Sequence, residues 1–336
     1  MTKMTKMTKD NITNFILCTP AFWCFTGLFL YYDANKELAL LVILTLFTAL
    51  YALGYSRIKQ QLLERKFTWL LIAMSLFALL SKVLNGYSSS ELRIILSLTI
   101  YTIIIPKESL FILKKDFPKL VMIGCFVSFI YSIHQTYYLG LGRSWSINPI
   151  PYTTFSACVA ATSLYISFFQ NTWLKKIMYI LASSLAIFSI FISETRGSLL
   201  SFIVALGFIA ILMIIKKPKF IIKLFIPALL ISSLGAYFSF DKLNTRFNHT
   251  VQEYNSIMSG NLNTSIGYRL QMWQAGYELA KSPTLLGLGD SHISAKENLF
   301  NEGSISKGSI RWTHYHNQFI NSFVKTGLIG FIFIII

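Results

Sequence analysis

The chain has 336 residues, 54% of them hydrophobic and only 13% charged, with a mean hydropathy of +0.56. These values exclude an ordinary soluble globular domain. The net charge of +16 sits in short basic clusters between apolar runs, which excludes a nucleic-acid-binding face and suits orientation of a protein in a membrane.

Three tandem Met-Thr-Lys units precede an apolar run from about Phe15 to Tyr32. That run is too long for a signal peptide and lacks a small-residue cleavage site, so it reads as a retained first span. A bilayer-crossing helix needs roughly 20 mostly apolar residues, and about ten such segments can be laid along the chain. The fold class is therefore all-α, a polytopic transmembrane helical bundle. Basic clusters at Arg57 to Lys66, Lys107 to Lys119, Leu174 to Lys176 and Lys216 to Lys219 alternate with base-poor joints, which predicts a cytoplasmic N-terminus. Cys18, Cys24, Cys125 and Cys158 all fall inside apolar runs without metal-ligand spacing.

Three regions follow. Residues 1–240 form an N-terminal transmembrane bundle of about nine spans. Residues 241–315 form one large loop on the outer face, whose stretch from Asp241 to Thr313 nearly balances seven basic against six acidic residues. Residues 316–336 begin a further span that stops in its middle, so later spans are expected to be missing. Within the loop, Thr264 to Pro283 has a capping Thr, a terminating Pro, and Ile266, Leu270, Trp273 and Tyr277 on one face. This predicts an amphipathic helix against the outer membrane surface. "LLGLGD" after it predicts a turn.

Seven cations fall on the outer side of this topology: Lys82, Arg93, Arg143, Arg196, Arg246, Arg269 and Arg311. Charges near a membrane interior are costly, so they pair, snorkel or serve a site. Lys82 can snorkel, Arg93 can pair with Glu91 or Glu194, and Arg196 can pair with Glu194. Together they also suit a bound anion. Arg196 opens an apolar helix whose free N–H groups already favour one, and a guanidinium there can clamp a phosphate bidentately. "RWTHYHNQFINSFVKTGLIG", Arg311 to Gly330, sets His314 and His316 at the mouth of an apolar run. No HExxH or acidic cluster completes a zinc shell around them, so no metal and no cofactor is expected. A neutral imidazole there suits general-base work on a hydroxyl.

The order of these motifs resembles the O-antigen ligases and their relatives, the O-antigen polymerases and protein O-oligosaccharyltransferases. The resemblance is carried by Arg196-Gly-Ser-Leu-Leu200, by "RLQMWQAGYELAKSPTLLGLG" with Arg269, and by His316-Asn317 followed at fixed spacing by Gly327 and Gly330. It runs from about Glu194 to Gly330, with Arg143 a counterpart by layout. It implies a metal-independent, inverting glycosyltransferase in the bacterial inner membrane, with its active site facing the periplasm. The donor would be a glycan on undecaprenyl diphosphate and the acceptor lipid A-core. His316 would take the acceptor proton, and Arg196, Arg269 and Arg143 would bind the pyrophosphate. Asn317, His314, Gly327, Gly330 and Lys82 would support the site. A polymerase extending the carrier-linked glycan is the alternative. A transporter would need membrane-embedded acids or helix breaks paired across two halves, and the sequence offers neither.

Overall fold

The computed structural model describes residues 3–31, 33–142, 144–216, 233, 240–281, 285–310 and 312–336. Arg143 and Arg311 lie outside the described residues, as does most of the apolar run after Lys216. Ahead of the second half of the chain come α1 (Lys3–Thr26), α2 (Ala34–Glu64), α3 (Lys66–Leu84), α4 (Ser89–Ile104), α5 (Lys107–Ile133), α6 (Pro149–Ser167), α7 (Trp173–Ile192) and α8 (Arg196–Lys216). They are followed by α9 (Phe240–Met258), α10 (Ser265–Ala280), α11 (His292–Asn301), α12 (Lys307–Ile310) and α13 (Gln318–Ile335). No strand occurs among the described residues. Among the described residues six helices, α2, α3, α5, α7, α8 and α13, are long and apolar enough to cross a membrane. The chain is a polytopic helical membrane protein.

It divides into two compact units that are discontinuous in sequence. The first comprises Met1–Gln61 and Ile104–Leu243. Its centre is α6, which begins at Pro149 with Asn148 Oδ1 accepting the Ile150 N–H at 3.0 Å, a cap followed by a proline whose missing N–H costs nothing there. Small side chains let its neighbours approach closely: Ala157, Ala160 and Ala161 of α6 and Ala182 and Ala186 of α7 are buried together. In lipid, where apolar surface alone does not drive helices together, such packing and interhelical hydroxyl bonds hold the bundle. Ser163 donates to the Tyr179 carbonyl at 2.8 Å and Ser183 to the Ala160 carbonyl at 2.8 Å. Ser132 donates to Ser189 at 3.1 Å, and Tyr152 to the Ser128 carbonyl at 2.7 Å.

The helix expected to open at Arg196 does so. Its start is pinned by buried hydroxyls: Thr195 donates to Thr153 at 2.8 Å, and Thr153 and Ser198 share a bond of 2.7 Å. Glu194 turns the chain with a φ of 54°, and Arg196 emerges exposed at the first position of α8.

The second unit comprises Leu62–Ile103 and Asn244–Ile336. Its helices α3 and α4 are joined by a Ser75–Thr99 hydroxyl bond of 2.8 Å and by Arg65, which donates to the Thr102 carbonyl at 2.7 Å. The amphipathic helix is α10, capped as expected by Thr264, whose hydroxyl accepts from the Gly267 N–H at 3.0 Å. Its packed face is the small one: Gly267, Gln271, Met272, Ala275 and Gly276 are buried, while Leu270, Trp273 and Tyr277 point outward. A Cβ on Gly276 would run into Ile320 of α13. Two spans are broken, α2 at Gly54 and α13 at Gly327, although the sequence shows no paired helix breaks.

Because Ala182 is fully enclosed at the α6–α7 contact, Ala182→Leu should destabilise the protein by about 1–3 kcal/mol through overpacking. A lower thermal midpoint in detergent is expected for this variant, and an unchanged one for Val204→Leu on the exposed side of α8.

Candidate functional site

The break in α13 organises the site. Gly327 has φ 66° and ψ −163°, which interrupts the helical ladder and frees a carbonyl and an N–H for other partners. The loop after α10 takes both. Leu288 N–H donates to the Val324 carbonyl at 2.8 Å, and Ile329 N–H donates to the Leu285 carbonyl at 3.3 Å. Gly287 lies against Gly327 and Lys325 so closely that a Cβ there would collide with their backbone. The same loop is tied to the end of α3: Asp290 N–H donates to the Asn85 carbonyl at 2.8 Å, and the Asn85 amide donates to the Gly287 carbonyl at 3.2 Å. The predicted turn at "LLGLGD" is thus a clip between two spans, continuing into one 3₁₀ turn, Gly289–Ser291.

From this clip α11 projects two buried basic groups onto the segment that carries the paired histidines. His292 sets Nδ1 2.6 Å from the Gly289 carbonyl and Nε2 3.1 Å from the Thr313 carbonyl. A neutral ring donates to only one of them at a time, and burial, foremost, holds its pKa below the ordinary histidine value. Lys296 is 2% exposed. Its ammonium donates to the Trp312 carbonyl at 2.5 Å and lies 5.5 Å from the centre of the Tyr315 ring. Burial, and then the charge of Lys325, push its pKa down to about 8. Tyr315 is fully enclosed, and among the described residues its hydroxyl meets no hydrogen-bond partner.

Supported in this way, Trp312, His314 and His316 form a ring cluster in which Trp312 stacks on His314 and His316 stands edge-on to both. The two imidazole centroids are 4.0 Å apart, and Trp312 lies 6.0 Å from His314 and 5.2 Å from His316. His316 adopts a left-handed backbone with φ 50°, uncommon outside glycine. It is half-buried while His314 is exposed. Burial, then the neighbouring charges of His314, Arg269 and Lys296, lower the His316 pKa to about 4. It is a neutral acceptor at neutral pH.

Among the expected site residues, Arg269, His314 and His316 belong to one electrostatic neighbourhood. Asn317 acts as the cap of α13, its Oδ1 accepting from the Phe319 and Ile320 N–H groups at 3.0 and 3.2 Å. Gly327 forms the break and Gly330 is buried against Phe77 of α3. Lys82 is exposed and donates to the Tyr87 carbonyl at 2.7 Å, closing the α3–α4 turn. Arg196 belongs to the other unit. His292 and Lys296 carry no motif in the sequence, and only their burial in α11 marks them. Among the described residues no three His, Cys, Asp or Glu side chains gather as a ligand set.

Residues 181–335 match the family described as O-antigen ligase. Over 213 residues the chain is 23% identical to an O-antigen ligase of Escherichia coli, which spans 62% of this chain and 50% of that protein. Over 175 residues it is 27% identical to an uncharacterized protein of Haemophilus influenzae, which spans 50% of this chain and 43% of that one. The chain spans about half the length of the curated relatives it matches.

The left-handed Gly327 and the ordinary helical Gly207 of α8, which has open space around it, should respond oppositely to alanine. Gly327→Ala is expected to cost about 1–3 kcal/mol, whereas Gly207→Ala should be neutral or raise stability by up to about 1 kcal/mol. Thermal midpoints of the two variants check this.

Proposed function

Because residues 181–335 match the family described as O-antigen ligase, we propose that this chain is a glycosyltransferase that moves a glycan from undecaprenyl diphosphate to lipid A-core. On this reading it works at the periplasmic face of the bacterial inner membrane. The observation that carries the reading is His316, a neutral imidazole half-buried beside His314 and within the field of Arg269.

An imidazole nitrogen of His316 takes the proton of an acceptor hydroxyl. The oxygen forms a bond to the anomeric carbon from the face opposite the diphosphate, and the sugar–phosphate bond breaks with inversion. Undecaprenyl diphosphate leaves as an anion, so it needs fixed positive charge rather than a proton. Arg269 supplies that charge next to the base. Arg196 and Arg143 are assigned to the same anion by the resemblance of the sequence motifs.

A base with a pKa of about 4 is a weak one, since the best catalytic value lies near the working pH. The donor itself corrects this. One negative charge at roughly 6 Å, at an effective dielectric of about 20, contributes about 3 kcal/mol, or about two pKa units. Binding the diphosphate beside Arg269 therefore raises His316 toward the neutral range. The surrounding cations keep the free imidazole unprotonated, and the bound donor makes it basic.

Two measurements test this. In a transfer assay with purified protein, carrier-linked glycan and lipid A-core, His316→Ala should lose about 10²–10⁴ of the rate, and undiminished transfer would sink the mechanism. The acid limb of kcat/KM, which reports the free enzyme, should fall near pH 4, and that of kcat, which reports the complex, should lie higher. Coincident limbs near pH 6.5 would contradict the assigned environment. Chain growth on the carrier, with lipid A-core ignored, would assign the polymerase reaction instead.

A further inference from the structure

A cleft of about 690 Å³ opens within the second unit, beside the histidines and bounded by α3, α4 and α13. Its size falls in the ~300–1,000 Å³ range of small-molecule sites. His314 lines it, and its ring packs edge-to-face against His316. Its polar part presents Glu91, Asp290, Lys325, Gln318 and Asn321. Its apolar part presents Phe77, Ile94, Ile95 and Phe333. The second group lies on α3, α4 and α13, and α3 and α13 are spans.

The polar part is built for a neutral, hydroxyl-rich group rather than a phosphate. Lys325 lies within the electrostatic reach of Glu91 and Asp290 and also of the Lys296 ammonium, so two carboxylates offset two ammoniums and no surplus positive charge is left for a phosphate. The carboxylates accept hydroxyl protons, and the Lys325 ammonium and the amides donate to hydroxyl oxygens. Asn321 adds a second, independent sign. Its Oδ1 is buried and meets no hydrogen-bond partner among the described residues, an acceptor of the kind that ordinarily finds a donor. The apolar part then requires that the occupant also carry a lipid.

We propose that this cleft is the acceptor subsite, taking the sugar end of a lipid-anchored saccharide, with Glu91, Asp290 and Asn321 holding its hydroxyls next to His314. This assignment rests on the transfer reading above for its chemistry, but binding can be measured without transfer. The diphosphate is left to Arg269, whose charge acts on His316. Two lipid-anchored saccharides share the required chemistry, lipid A-core and the carrier-linked glycan.

The test is equilibrium binding to the full chain in nanodiscs, without a second substrate, using fluorescent lipid A-core, carrier-linked glycan and bare undecaprenyl diphosphate as probes. At least one saccharide probe should bind, and Glu91→Gln with Asp290→Asn should weaken it about tenfold, the worth of one hydrogen bond to a charged group. Ile95→Trp, which fills the apolar part, should weaken the same probe, while bare undecaprenyl diphosphate keeps its affinity for both variants. The saccharide probe that responds identifies the acceptor. Thermal midpoints within a few degrees of wild type show that the variants are folded. Saccharide affinity unchanged in both variants, no saccharide binding by wild type, or an equal loss for the bare diphosphate would overturn the subsite. Transfer that survives in His316→Ala would instead overturn the mechanism and leave the binding result standing.

Discussion

The second unit depends on one interrupted helix. A continuous α13 would spend its backbone groups on itself, and nothing would hold the loop that follows α10. The break at Gly327 leaves the Val324 carbonyl and the Ile329 N–H open, and Leu288 and Leu285 complete them. Only glycine tolerates this left-handed backbone next to another chain at contact distance, and Gly287 opposite it is also left-handed, with φ 72°. Through Asn85 the clip fixes α3, and through the turn at Gly289 it launches α11 with His292 and Lys296. Those two side chains bond to the carbonyls of Thr313 and Trp312, the two residues just before His314. The histidine geometry is the far end of this chain of hydrogen bonds.

Charge sets the chemistry that this geometry can perform. Lys296 and His292 are buried facing carbonyls, and the pKa of each is lowered first by desolvation. Burial, foremost, and then the charges of His314, Arg269 and Lys296 lower the His316 pKa, because a further positive charge in a poorly solvated place is unfavourable. Acidic groups occur instead across the cleft, at Glu91 and Asp290. On the proposed mechanism, the cations near the imidazole suit an anionic leaving group, and the carboxylates of the cleft suit a neutral, hydroxyl-bearing nucleophile.

The candidate site was partly legible in the sequence. His316 and Arg269 stand in recurring motifs, and the start of α8 at Arg196 follows from a polar turn before an apolar run. Asn317 was legible as a neighbour of the base, but its side chain is occupied in capping α13. The apolar face of α10 was read correctly as a stripe, yet the stripe points outward and the glycine and alanine face makes the packing contact. Where Gly276 meets Ile320 and Tyr315, backbone proximity outweighs the larger side chains. Lys296 and Glu91 were not legible, because a single Lys or Glu in a polar segment looks the same whether it is solvated or buried.

The sequence alone determined that the chain is a helical membrane protein with a polar loop, because hydropathy and length are local properties and lipid leaves the backbone few alternatives to a helix. It also determined the order of the arginine and histidine motifs. Tertiary structure decided that residues 62–103 join the C-terminal segment, which brings Glu91 into one cleft with Asp290, Lys325 and His314. It decided too that the buried ammonium of Lys296 holds the Trp312 carbonyl, next to the paired histidines. Both depend on contacts between residues far apart in the chain, and the identity of either partner by itself carries no record of the meeting.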